Sequence, residues 1–116
     1  MENLKYVINP NGDAVFYFCS IKGNIGFDYW EDFLIIVDVI KKYILPEEIK
    51  YSGITDIFGY FVKNELKVDM ECTSMLGVIF TIPKDRLTNV NFDDAYKMLN
   101  SIWLKAINVK KLKLLK

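Results

Sequence analysis

Between Leu66 and Thr73 apolar and polar residues alternate without a break: Leu66, Val68, Met70 and Cys72 are apolar, and Lys67, Asp69, Glu71 and Thr73 are polar. Successive side chains of a strand point to opposite faces, so this alternation predicts a strand with one buried and one wet face. The surrounding chain is β-rich from Lys50 to Ile82. Ile54 to Val62 precedes the alternating segment with Lys63-Asn64-Glu65 as the reversal, and Thr73-Ser74 leads onward into Leu76 to Ile82. The expectation is an antiparallel meander that Pro83 terminates, followed by a polar connector from Lys84 to Val90.

Two segments carry helical spacing instead. Trp30, Phe33, Leu34, Val37, Ile40 and Ile44 recur at that spacing, with Lys41 and Lys42 near the end and Pro46 beyond it. Asp28 and Glu31 resemble a capping box at the start. Ile35, Ile36 and Val39 widen the apolar stripe, so this helix is expected against a sheet on one side and a second helix on another, with Asp38 ion-paired to Lys41 or Lys42 on its polar side. The second helix is expected to start near Asn91 or Asp93, with Phe92, Ala95, Tyr96, Leu99, Ile102, Trp103 and Ala106 at helical spacing, and to close the core. At the other end of the chain, Leu4 to Ile8 and Ala14 to Ile21 flank the turn residues Asn9 to Asp13 and predict a hairpin. Lys22-Gly23-Asn24 is a further reversal, and Ile25 to Phe27 a possible short strand. Together these elements predict an α+β fold, an antiparallel sheet of about five or six strands with two helices packed mainly on one face.

At 116 residues, with 52% apolar and 15% aromatic content, the chain suits one domain with its own core. Polar Asn9, Asn11 and Asp13 and the helix-breaking Pro10 stand where a signal peptide needs an apolar stretch, and Phe33 to Ile40 is too short to span a bilayer. The expected location is cytoplasmic, without stable membrane insertion. Cys19 and Cys72 lie in apolar strand-like segments, where buried thiols are expected ahead of a disulfide.

Formal net charge is zero, but its two signs are segregated along the chain. Residues 1–104 hold all 15 acids and 10 of the 15 bases, a balance of −5; residues 105–116 hold Lys105, Lys110, Lys111, Lys113 and Lys116. The basic tail can extend the second helix, add a strand, meet a membrane surface, or dock on the acidic body. Five bases without aromatics beside an acidic body do not make a nucleic-acid site, so no nucleic-acid partner is expected.

Histidine is absent, which removes histidine-based nucleophile systems and histidine-bearing zinc sites. No Gly-rich phosphate-binding motif occurs, and the adjacent acids Glu31-Asp32, Glu47-Glu48 and Asp93-Asp94 sit at helix starts or turns, where backbone amides explain them. The expectation is a non-enzyme with no cofactor and no metal. Strand register then decides which residues share a surface. A two-residue loop at Asn64-Glu65 puts Ile57, Gly59, Phe61 and Lys63 on the buried side and sets Tyr60 across from Asp69 and Phe58 across from Glu71 on the other. A three-residue loop sends Tyr60 and Phe58 to the core instead. Under the first register Asp56, Phe58, Tyr60, Glu65, Asp69 and Glu71 are the candidate partner-binding residues, an acidic and aromatic set suited to a basic protein.

The segments Gly26-Phe27-Asp28-Tyr29-Trp30-Glu31-Asp32-Phe33-Leu34 and Ile49-Lys50-Tyr51-Ser52-Gly53-Ile54, the strand Leu66 to Cys72 and the closing Ile102-Trp103 together resemble small bacterial immunity proteins of contact-dependent growth inhibition and related polymorphic toxin systems. That resemblance implies a cytoplasmic, non-enzymatic protein that binds one cognate toxin domain, commonly a nuclease, and blocks its active site or substrate surface. The alternative is a small-ligand-binding module or a subunit of a larger assembly, and the sequence leaves the oligomeric state open.

Overall fold

The computed structural model describes residues 2–88 and 90–115; Met1, Asn89 of the connector and Lys116 of the tail lie outside the described residues. Six strands, β1 (Lys5–Ile8), β2 (Ala14–Tyr17), β3 (Glu48–Ser52), β4 (Ile57–Lys63), β5 (Leu66–Thr73) and β6 (Gly77–Ile82), form one antiparallel sheet in the order β1-β2-β6-β5-β4-β3. Helix α1 (Trp30–Val39) continues through a π-helical segment at Ile40–Ile44; α2 (Lys84–Leu87) is short, and α3 (Phe92–Leu114) is long. The sheet is thus a hairpin, β1-β2, and a meander, β3 to β6, joined by the long-range pairing of β2 with β6.

The meander register is that of the two-residue loop. Asn64 and Glu65 take φ of 52° and 69°, and Lys63 pairs with Leu66, Phe61 with Val68 and Ile57 with Cys72. Positive φ at both central residues is the backbone of the hairpin turn whose twist matches that of the flanking strands. Glu47 reinforces it, its Oε1 accepting the Asn64 N–H at 2.5 Å.

Alternation then selects the core. Phe16, Val78, Phe80, Ile82, Leu66, Val68, Met70, Ile57 and Phe61 face the helices, where they meet Phe33, Ile36 and Ile40 of the first helix and Leu99, Ile102 and Ala106 of α3. Trp103 packs edge-on against Phe18 and Phe27, with ring centroids at 5.8 and 5.7 Å, and its Nε1 donates to the Glu2 carbonyl at 3.0 Å. Gly59 leaves no room for a side chain against β3, because a Cβ there would stand 2.6 Å from the Tyr51 Cα. The Tyr51 ring opposite it stacks edge-on against Phe33 at 5.4 Å.

Several sequence expectations change. Ile25 to Phe27 is not a strand: Phe27 alone bridges, donating its N–H to the Phe18 carbonyl at 2.7 Å and accepting from the Val78 N–H at 2.9 Å. The β-rich run from Lys50 is broken at residues 53–56, where Gly53 at φ 139° reverses the chain between β3 and β4. The expected Asp28–Glu31 cap is displaced by one residue. Tyr29 is the N-cap, and Asp32 Oδ2 accepts the Asp28 and Tyr29 N–H groups at 2.9 and 3.4 Å, while Asp28 turns away to accept from the Ser20 N–H and Oγ. Asp38 is exposed and belongs to none of the ion pairs among the described residues. The connector contains α2, and the tail takes its helical alternative, α3 running on to Leu114 from an Asn91 side chain that accepts the Asp93 and Asp94 N–H groups. Cys19 and Cys72 are free thiols.

Lys110 carries the tail into the body. Its ammonium donates to the Gly26 carbonyl and to Asp32 Oδ2, the latter at 3.0 Å, and lies 5.3 Å from the Phe27 ring centroid. One carboxylate therefore caps α1 and anchors the last turns of α3.

Candidate functional site

Helices α1 and α3 cover one face of the sheet, and the other face is read off the register. One row across it runs Ser52, Phe58, Glu71, Ile79, Tyr17, Lys5; the next runs Lys50, Tyr60, Asp69, Thr81, Val15, Val7. A third begins Glu48, Val62, Lys67. Phe58 is exposed, Tyr60, Asp69 and Glu71 are half-buried, and Ile79 is buried at the floor of a shallow groove of about 410 Å³ that Phe58, Asp69, Glu71, Thr81 and Pro83 also line.

The structure unites four of the six candidate residues. Phe58 and Glu71, and Tyr60 and Asp69, are the cross-strand pairs expected under the two-residue loop. Asp56 lies in the β3–β4 loop at one end of these strands, its Oδ1 accepting the Ser74 N–H at 3.3 Å. Glu65 lies in the turn at the opposite end of β4, whose seven residues span about 24 Å, so the two acids are not in one cluster.

Electrostatically the centre of this face is balanced rather than acidic. Arg86 of α2 donates to Asp69 Oδ1 at 2.9 Å and to the Lys67 carbonyl at 3.3 Å. The Lys67 ammonium sits 4.2 Å from the Tyr60 ring centroid, and Lys50 pairs with Glu48 at 3.3 Å. The Tyr60 hydroxyl, and then Lys50, holds the Glu48 carboxyl below its usual range; Glu48 in turn holds the Tyr60 phenol and the Lys50 ammonium above theirs. Glu48, Lys50, Tyr60 and Lys67 thus cluster at the β3 side of the face. Glu71 forms no ion pair among the described residues.

Sequence reasoning missed Tyr17, Val15, Ile79 and Thr81 because their place on this face depends on β2 pairing with β6, across the 59 residues between Tyr17 and Gly77. The local signal was present: Val15 and Tyr17 alternate with buried Ala14 and Phe16. It also missed Lys50, Lys67 and Arg86, the bases that neutralise the acids; Lys50 stands opposite Tyr60 in the register.

No binding geometry for a metal emerges, since among the described residues no group of three or more Cys, Asp or Glu side chains is placed to hold an ion. Among them, too, no helix is long and apolar enough to cross a membrane. Compared with known protein families, curated proteins and solved structures, the chain finds no match.

Proposed function

We propose that this chain is an immunity-type inhibitor, a non-catalytic protein that binds a cognate bacterial toxin domain and covers its active site or substrate surface with the uncovered face of the sheet. The observation that carries the reading is the composition of that face. Tyr17, Phe58 and Tyr60 lie on paired strands that fix their backbone positions before any partner arrives, and Tyr60 stands among the Lys50–Glu48 and Arg86–Asp69 pairs and beside the Lys67 ammonium. Aromatic side chains supply contact area at low entropic cost, and charges alternating in sign select a partner by register and orientation more than by net attraction. No step requires a cofactor. The toxin domain is proposed to be a nuclease, in keeping with the resemblance; the alternation of sign on the face calls for a partner with a matching alternation rather than a uniformly basic one.

The test begins with the reading frame next to this gene. Its product is expected to copurify with the chain and to be non-toxic to cells that express it. Phe58→Ala with Glu71→Lys, both chosen to leave the Asp69–Arg86 pair intact, is expected to weaken the complex by at least about tenfold, or 1.4 kcal/mol, without unfolding the protein. Cells killed by the neighbouring product despite this chain would remove the proposal.

A further inference from the structure

Five exposed apolar side chains lie at one end of the sheet, on the β3–β4 and β5–β6 loops and at the start of α1. Ile54 is 97% exposed, Met75 91% and Tyr29 70%, with Trp30 and Leu76 more than half exposed. They lie on three segments that hydrogen bonds and close packing hold together. The Ser74 N–H bonds Asp56, joining the β5–β6 loop to the β3–β4 loop. The Val78 N–H bonds the Phe27 carbonyl, and a Cβ on Gly77 would stand 3.1 Å from Asp28 Oδ1, so the start of α1 lies against the same loop. Scattered single apolar residues on a surface need no explanation, but a group of five at one end, including a tryptophan and a methionine, marks a contact surface.

The charges carried by these three segments are of one sign, and Lys110, which reaches them from α3, is paired with Asp32. Residues 27–34, 52–58 and 71–79 contain Asp28, Glu31, Asp32, Asp56 and Glu71 and neither lysine nor arginine. Asp28 is engaged by Ser20 and Asp32 by Lys110, whereas Glu31 and Glu71 form no ion pair among the described residues. The bases at the end of α3 line other grooves: Lys111 lines one with Glu2 and Asn24, and Lys113 lines another with Asp38 and Lys42. The acidity expected of the sheet face is thus found at its end, beside apolar groups instead of beside lysines.

We propose that the end carrying Tyr29, Trp30, Ile54, Met75 and Leu76 is a docking surface for a protein segment that presents apolar side chains flanked by lysine or arginine. Apolar side chains of that segment cover the exposed group, and its bases meet Glu31 and Asp56 at the rim, where complementary charge speeds encounter and fixes orientation. The inference rests on the protein-binding reading above and names the chemistry of the partner; it extends the contact from the sheet face to the sheet end.

A displayed random-peptide library panned on the whole protein tests it without the toxin. Selected peptides are expected to be enriched in lysine or arginine next to aromatic or aliphatic residues, and to shift the amide resonances of Trp30, Ile54 and Met75. Ile54→Asp with Met75→Asp, at positions too exposed to disturb folding, is expected to lower their affinity at least tenfold. Glu31→Lys is expected to lower it severalfold, with less loss at high salt. Selection of peptides without bases, resonance shifts confined to the sheet face, or affinity unchanged in these variants would overturn the inference. So would a dimer of this chain abolished by Ile54→Asp, or sedimentation with phosphatidylglycerol vesicles, because a second copy or a lipid surface would then be the occupant. A toxin complex weakened by Phe58→Ala with Glu71→Lys and indifferent to the end variants would sink the inference and leave the functional proposal standing; enriched basic peptides with no toxin complex would do the reverse.

Discussion

Glu65 sits at φ 69° with an exposed side chain, a conformation that costs an L residue other than glycine or asparagine about 1–2 kcal/mol. Asn64 before it tolerates the same region well. Glu65→Gly converts the turn to Asn-Gly, the favoured pair for this backbone, and is expected to stabilise the protein by about 0.5–1 kcal/mol after the greater freedom of glycine in the unfolded chain is deducted. A higher urea midpoint with an unchanged slope is the expected readout, and a lower midpoint would refute the two-residue register. Cys72 makes a second case. Burial, and then the nearby carboxylates Asp32, Asp56 and Asp28, push its thiol up to about 11. Because the unfolded thiol ionises near 9, the native state holds its proton over a window in which the unfolded state has lost it. The thiol's contribution to stability is therefore complete below about pH 9 and is lost as pH rises toward 11. Denaturation midpoints should fall through that window, and Cys72→Ala, although less stable at neutral pH, should show a shallower fall; an equal slope in both proteins would contradict this account.

Among the elements, α3 is joined to the start of α1 through Lys110. Its inner stripe of Ala95, Leu99, Ile102, Ala106 and Ile107 is followed one turn later by Lys110, which continues the buried side with a charge. Lys110 and Asp32 keep only 19% and 12% of their side chains exposed, so removing one partner leaves a largely desolvated charge. Lys110→Met is expected to cost about 2–3 kcal/mol, somewhat less than a fully buried pair because some water reaches it. Hydrogen exchange should quicken in residues 26–32 and in the last turns of α3 while β5 and β6 stay protected; uniform quickening would show that Lys110 holds the whole core rather than a local clasp. The same clasp explains why the cap of α1 eluded sequence reasoning. Asp28, Glu31 and Asp32 are all plausible caps by spacing, and what separates them is that Ser20 claims Asp28 and Lys110 orients Asp32. The π-helical segment has a comparable origin. Leu45, at φ 54°, donates its N–H to the Ile40 carbonyl just ahead of Pro46, and this widened turn ends the helix where β3 must start.

Over the whole molecule, the opposed charges of body and tail become a partly internal matter. Lys110 is spent on Asp32, and Lys105 lies 5.2 Å from the Tyr43 ring centroid, so the tail docks on the body and adds to its own fold. The uncovered sheet face is charge-balanced, and Glu31, Asp56 and Glu71, which form no ion pair among the described residues, stand on the segments that carry the exposed Tyr29, Trp30, Ile54 and Met75. Both arrangements belong to tertiary geometry, and net charge could not have revealed either.

Periodicity alone determined the strand Leu66 to Thr73, the meander around it, both long helices and the α+β class, because alternation and helical spacing are local consequences of which side chains must leave water. Local turn chemistry also carried the pairs Phe58–Glu71 and Tyr60–Asp69 as one of two registers. Only the tertiary structure decided between those registers and placed β2 beside β6, β3 beside β4 and Arg86 against Asp69. Those contacts join residues distant in sequence, and their free energy comes from a shared core and mutual desolvation that no short window of sequence contains.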